Sequence, residues 1–133
     1  MIYLDSSALI TLISGRPLAN ELREFLSARP TAAMGTSTLG FIETVRVLNQ
    51  IGDYPTLMQD LVREFTEILL SEDVRDAAAM LPRGVRPLDA VHVASAQILG
   101  GTLELLITYD KRMFDVSRSL GLPTEAPGRA WRS

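Results

Sequence analysis

The chain has 133 residues, with 13 Lys and Arg against 16 Asp and Glu, a formal charge of −3, one histidine and no cysteine. That length suits one domain with its own core, and 47% hydrophobic with 22% charged residues is an ordinary globular composition. The counts exclude a disulfide framework, a thiolate nucleophile, a Cys-built zinc site and any centre needing two imidazoles. A metal held by side chains must then rest on carboxylates, which select hard ions such as Mg2+ or Mn2+.

Short apolar runs alternate with longer helical patterns. Residues 1–4 predict a buried strand and Ser6–Ser14 a helix. Pro17 fits the first turn of a second helix, with Leu18, Leu22, Phe25 and Leu26 on one face, ending before Pro30. Residues 32–34 predict a second strand, and Ser37 or Thr38 caps a helix through Gln50. A helix over 56–65, a strand over 67–70 and a helix over 72–81 follow, then a turn-rich loop over 82–87. Pro87 opens a helix over 88–99 that Gly100 and Gly101 end. A strand over 103–108, a helix over 110–120 and a short strand over 122–124 complete the pattern.

Strand and helix in alternation imply an α/β fold: a parallel central sheet of four to five strands flanked by helices on both faces. We expect one domain over residues 1–125 and a tail over 126–133, looped or disordered from Pro127, with no role for Trp131. Asp5 interrupts the first apolar run and no run is long enough to span a bilayer, so the expectation is a soluble cytoplasmic protein with no membrane partner. Lys111 is the only lysine among the 13 basic residues, a bias that suits phosphate binding but that a GC-rich genome also produces.

In open α/β sheets, ligands bind outside the carboxyl ends of the strands. Asp5 ends the first predicted strand, Asp110 follows the strongest one, and Asp89 lies in the first turn after Pro87. Each is also explained as a helix cap. Glu43 is not, because it stands among Leu39, Phe41, Ile42, Val45 and Val47 on a helix that reads as apolar nearly all round and hence largely buried. An acid there needs a metal, a proton or an ion-pair partner such as Arg46 or Arg86, unless an amphipathic boundary places Glu43 in water. Converging carboxylates repel unless cations neutralise them, and a Mg2+ or Mn2+ site of this kind activates water and holds a phosphoryl oxygen.

The segments Ile2-Tyr3-Leu4-Asp5-Ser6-Ser7-Ala8-Leu9, Leu88-Asp89-Ala90-Val91-His92-Val93-Ala94-Ser95-Ala96 and Leu106-Ile107-Thr108-Tyr109-Asp110-Lys111-Arg112-Met113, with Glu43 between them, resemble the PIN-domain ribonucleases. Within these they are similar to the VapC-type toxins of toxin–antitoxin modules. The resemblance covers residue 1 to about 123, and the order and spacing of the segments make it specific. It implies that Asp5, Glu43, Asp89 and Asp110 form an acidic Mg2+ or Mn2+ site, with Ser6 and Thr108 as supporting hydroxyls. It further implies cleavage of RNA (tRNA or rRNA in VapC-type toxins), a cognate VapB-type antitoxin and a homodimer. The alternative is a catalytically silent PIN-like binding or assembly module.

His92 reads as a packed scaffold imidazole, although its spacing from Asp89 also permits an Asp–His pair. Arg16, Arg83, Arg86, Lys111 and Arg112 are placed to flank the pocket, each equally explained as solvated charge. Asp115 reads as surface. Apolar positions over 17–28 and 55–65 suit either a partner chain or the core.

Overall fold

A computed structural model describes residues 1–131. Alternation along β1 (Ile2–Leu4) divides the interior between the two faces of the sheet. Ile2 and Leu4 pack with Leu9, Leu22, Phe41, Leu48 and Leu61 on one face, while Tyr3 packs with Ile68, Ala96 and Leu106 on the other. All three β1 residues are buried, as a central parallel strand requires.

From β1 the chain runs through α1 (Ser6–Ser14) and α2 (Ala19–Ser27) to β2 (Met34–Ser37). It continues through α3 (Thr38–Ile51) and α4 (Leu57–Glu64) to β3 (Thr66–Ile68). Next come α5 (Glu72–Ala79) and α6 (Pro87–Gln97), a 3-10 turn at Gly100–Thr102, then β4 (Leu105–Ile107), α7 (Lys111–Ser119) and β5 (Thr124–Glu125). The five strands are all parallel, in the order β3-β2-β1-β4-β5. The chain thus leaves β1 towards one edge and returns to β4 to build the other, so β1 and β4 flank the topological switch point where such sheets bind ligands.

The elements follow the alternation expected, with local differences. Strand β2 lies at 34–37 instead of 32–34, because it is built from Gly35, Thr36 and Ser37, buried small and polar residues without an apolar signal. Strand β3 ends at Ile68, leaving Leu69 and Leu70 exposed. Helix α2 starts at Ala19 because Leu18 is left-handed, with φ 80°, which puts Pro17 in the preceding turn. Helix α3 is amphipathic instead of buried all round: Phe41, Thr44 and Leu48 are interior, while Ile42 and Ile51 are exposed. Leu22, Leu57, Leu61 and Phe65 belong to the core, whereas Met58 and Val62 on α4 face solvent.

Of the tail, residues 132–133 lie outside the described residues. Pro127 accepts a hydrogen bond from the Tyr109 hydroxyl at 2.8 Å, and the Trp131 ring meets Phe114 edge-on. Among the described residues no helix is long and apolar enough to cross a membrane.

Gly35 shows how tightly the sheet is assembled. A Cβ there would stand 2.6 Å from Met1 Sδ and 2.9 Å from the backbone oxygen of Thr66, and the latter cannot yield without parting β2 from β3. Gly35→Ala is expected to lower stability by about 1–3 kcal/mol, read from the midpoint of urea unfolding.

Candidate active site

Asp5 is the first residue past β1, and its nearest neighbours come from the end of β4. Its backbone N–H donates to Ile107 O at 3.2 Å, and its carboxylate caps α1 by accepting from Ala8 N at 2.9 Å. Ser7 Oγ donates to Asp5 Oδ1 at 2.6 Å and accepts from Tyr109 N at 2.8 Å. Thr108 Oγ1 donates to Asp5 Oδ2 at 2.5 Å and accepts from Asp110 N at 3.0 Å. Two hydroxyls therefore join the ends of β1 and β4 across the switch point, and both orient the same carboxylate.

That carboxylate is 1% exposed and, among the described residues, has no Lys or Arg partner. Burial drives its pKa up, offset only in part by His92 and by donation from Ser7, Thr108 and Ala8 N. Asp110 caps α7, its Oδ1 accepting from Arg112 N at 3.0 Å and Met113 N at 3.2 Å. Asp89 lies in the first turn of α6. Arg86, just before that helix, donates through Nε to Asp89 Oδ2 at 2.8 Å and reaches Asp110 Oδ2 with its terminal nitrogen at 3.5 Å. These contacts, led by the hydrogen bond to Asp89, raise the Arg86 pKa further.

Glu43 stands on α3 with its side chain 29% exposed, so it sits at the boundary of the interior. Its partner is His92, whose Nε2 lies 2.7 Å from Glu43 Oε1. Burial pushes the Glu43 carboxyl up, but the hydrogen-bonded and electrostatic interaction with His92, and after it a hydrogen bond from Ser6, outweigh it and hold the pKa below the usual carboxylate value. The Asp89–His92 and Glu43–Arg46 pairings do not form: Asp89 takes Arg86, and Glu43 takes His92 from another helix.

The structure thus brings Asp5, Thr108 and Asp110 together, joins Asp89 to Asp110 through Arg86, and sets Ser6 and His92 on Glu43. Among the described residues no three acidic or imidazole groups stand close enough to share an ion. The cause is visible in the partners: Arg86 spans Asp89 and Asp110, and hydroxyls hold both Asp5 oxygens. The donors nevertheless suit a hard divalent cation. They are all carboxylate oxygens, one of them is a deeply buried acid lacking a countercharge, and a guanidinium already supplies positive charge to two others. Ser7 escaped the sequence reading, because nothing in the Ser6-Ser7 pair says which hydroxyl faces Asp5.

Of the basic candidates, Lys111 pairs with Asp115 at 2.6 Å, leaving both on the surface. Arg83 borders an apolar groove of about 700 Å3 between α5 and α6, which none of the four acids lines.

Asp5 and Asp110 follow the carboxyl ends of β1 and β4 on a small parallel sheet. The PIN domain profile fits residues 2–119, and the chain belongs to that family. It is 36% identical to ribonuclease VapC47 of Mycobacterium tuberculosis, over 96% of this chain and 98% of that protein. The crystal structure of M. tuberculosis VapC20, described as a Sarcin-Ricin loop cleaving toxin, shares the fold with a TM-score of 0.73 at 17% identity, covering 96% of this chain and all of that one. A toxin–antitoxin complex from Klebsiella pneumoniae aligns with a TM-score of 0.66 at 25% identity, over 86% of this chain and 90% of that one.

Proposed function

We propose that the protein is a Mg2+- or Mn2+-dependent endoribonuclease, the toxin of a type II toxin–antitoxin pair. The observation that carries this is Asp5: a buried carboxylate without a cationic partner, fixed by two hydroxyls at the switch point and joined through Thr108 to Asp110. The kinship with proteins named ribonucleases VapC supports RNA as substrate, and the solved toxin–antitoxin relative supports a VapB-type antitoxin as partner. A homodimer, a cytoplasmic location and a catalytic domain ending near residue 125 belong to the same proposal.

Asp5, Asp89 and Asp110, with Glu43, are the residues that would hold the ion. When bound, a divalent cation lowers the pKa of water and neutralises charge on the phosphodiester. The chain's own part is orientation and proton transfer. Ser7 and Thr108 hold Asp5 in one rotamer. Glu43, with its pKa depressed, is ionised at neutral pH and ready to accept the proton of the attacking water. Arg86, once released from Asp89 and Asp110, is placed to bind a phosphate oxygen. No protein nucleophile is required.

One observation favours the alternative, a catalytically silent binding module: Arg86 already neutralises two of the acids. Purified protein incubated with RNA separates the two. Cleavage with Mg2+ or Mn2+ that stops in EDTA and in Asp110→Asn is the expected result. Absence of both Mn2+ binding and cleavage supports the silent module.

A further inference from the structure

We infer that His92 is a positioning residue for Glu43, locked as its Nε2–H tautomer by the buried hydroxyl of Tyr3. Its consequence for metal binding rests on the nuclease reading above; the hydrogen-bond chain itself does not.

His92 is 2% exposed and carries a partner on each ring nitrogen: Tyr3 OH lies 2.7 Å from Nδ1 and Glu43 Oε1 lies 2.7 Å from Nε2. The direction of the chain follows from counting protons. Glu43 Oε1 is a carboxylate oxygen and can only accept, so Nε2 carries a hydrogen. The Tyr3 hydroxyl, fully buried and accepting from Ser37 N at 3.3 Å, lies 2.7 Å from Nδ1, which in the Nε2–H tautomer has only a lone pair to offer. Nδ1 is therefore the acceptor, the ring proton sits on Nε2, and Nε2–H donates to Glu43. The Nε2–H tautomer satisfies the partner on each ring nitrogen.

The placement gives this chain a purpose. Tyr3 stands on β1 two residues before Asp5, His92 on α6 three residues after Asp89, and Glu43 on α3. The chain thus references Glu43 on α3 to the two elements that carry Asp5 and Asp89. Glu43 is the partly exposed member, and among the described residues its other hydrogen-bond partner is Ser6.

The lone histidine makes the test direct, because the long-range 1H–15N imidazole spectrum contains one residue. In EDTA the wild type is expected to show a single Nε2–H tautomer, and Tyr3→Phe a mixture of tautomers. Glu43 side-chain couplings should report one rotamer in the wild type, averaging in His92→Leu, and recovery in His92→Gln, which keeps an N–H donor. Mn2+ affinity should fall about tenfold or more in His92→Leu and largely return in His92→Gln, in line with the effect of groups that orient metal ligands. Urea unfolding identifies any variant that has lost its fold, in which case His92→Gln and Tyr3→Phe carry the comparison. An Nδ1–H tautomer in the wild type, or unchanged Glu43 couplings in the folded variants, overturns the inference. A wild type that binds no Mn2+ but shows the Tyr3-dependent Nε2–H tautomer and the fixed Glu43 upholds the positioning role and defeats the nuclease reading.

Discussion

Asp5→Asn is expected to cut Mg2+-dependent RNA cleavage by roughly a thousandfold while leaving the metal-free protein folded and, at neutral pH, more stable than the wild type. Asparagine caps a helix as well as aspartate does, so the bond from Ala8 N and the start of α1 survive. What disappears is a buried charge that, among the described residues, has no Lys or Arg partner. The folded-state pKa of Asp5 lies above its unfolded value. Protonated Asp5 therefore contributes stability that is fully present below the unfolded pKa and is lost as pH rises through the folded pKa. The wild type should lose ground to Asp5→Asn across that rise, and the two should converge in acid. Thermal unfolding in EDTA across pH measures the gap. Adding Mg2+ should then stabilise the wild type and not the variant, since only a binding-competent native state gains from the ion. Cleavage by Asp5→Asn at the wild-type rate would remove Asp5 from the essential residues.

Much of this site was legible because its parts coincide with local signals. Asp5 and Asp110 close apolar strands and open helices, and in the structure both cap those helices while bonded to Thr108. Capping and the proposed metal role do not compete: a carboxylate that satisfies a helix terminus just past a strand also lies outside the carboxyl end of the sheet. The partners of Glu43 and His92 were not legible, because they lie 49 residues apart and meet only through the packing of α3 against α6. Sequence spacing offered the Asp89–His92 pair one turn apart on α6, yet Arg86 takes Asp89 and turns His92 over to Glu43.

The same limit applies to the fold. Strand β1 announces itself by an apolar run, but β2, also an interior strand, is built around Gly35, Thr36 and Ser37, whose burial follows from the strands on either side. Helix α3 misled in the opposite sense. Ile42 and Ile51 read as core by composition, but the tertiary contacts of α3 fall on the face of Phe41, Thr44 and Leu48. Apolar residues left in solvent are common on folded proteins, so their presence did not require an interior position.

Thr108→Val carries the second large effect, because one hydroxyl holds two halves of the site. Valine matches threonine in shape, so packing at this fully buried position is retained. The substitution removes the donor to Asp5 Oδ2 and the acceptor for Asp110 N. A buried carboxylate loses one of three donors and a backbone N–H loses its partner, for an expected destabilisation of about 2–4 kcal/mol at neutral pH. The Thr108 hydrogen bond lowers the Asp5 pKa, so its loss raises that pKa further. The difference between wild type and Thr108→Val is thus largest where Asp5 is ionised and should shrink as pH falls through the folded pKa. Mn2+ affinity is expected to drop about 10–100-fold, the usual cost of removing a group that orients a ligand. Thr108→Ser, which keeps the hydroxyl and gives up only a methyl, should lose about 1 kcal/mol of stability and retain the affinity. If Thr108→Ser weakens Mn2+ binding as much as Thr108→Val does, packing at the end of β4, and not the hydroxyl, governs the geometry of Asp5 and Asp110.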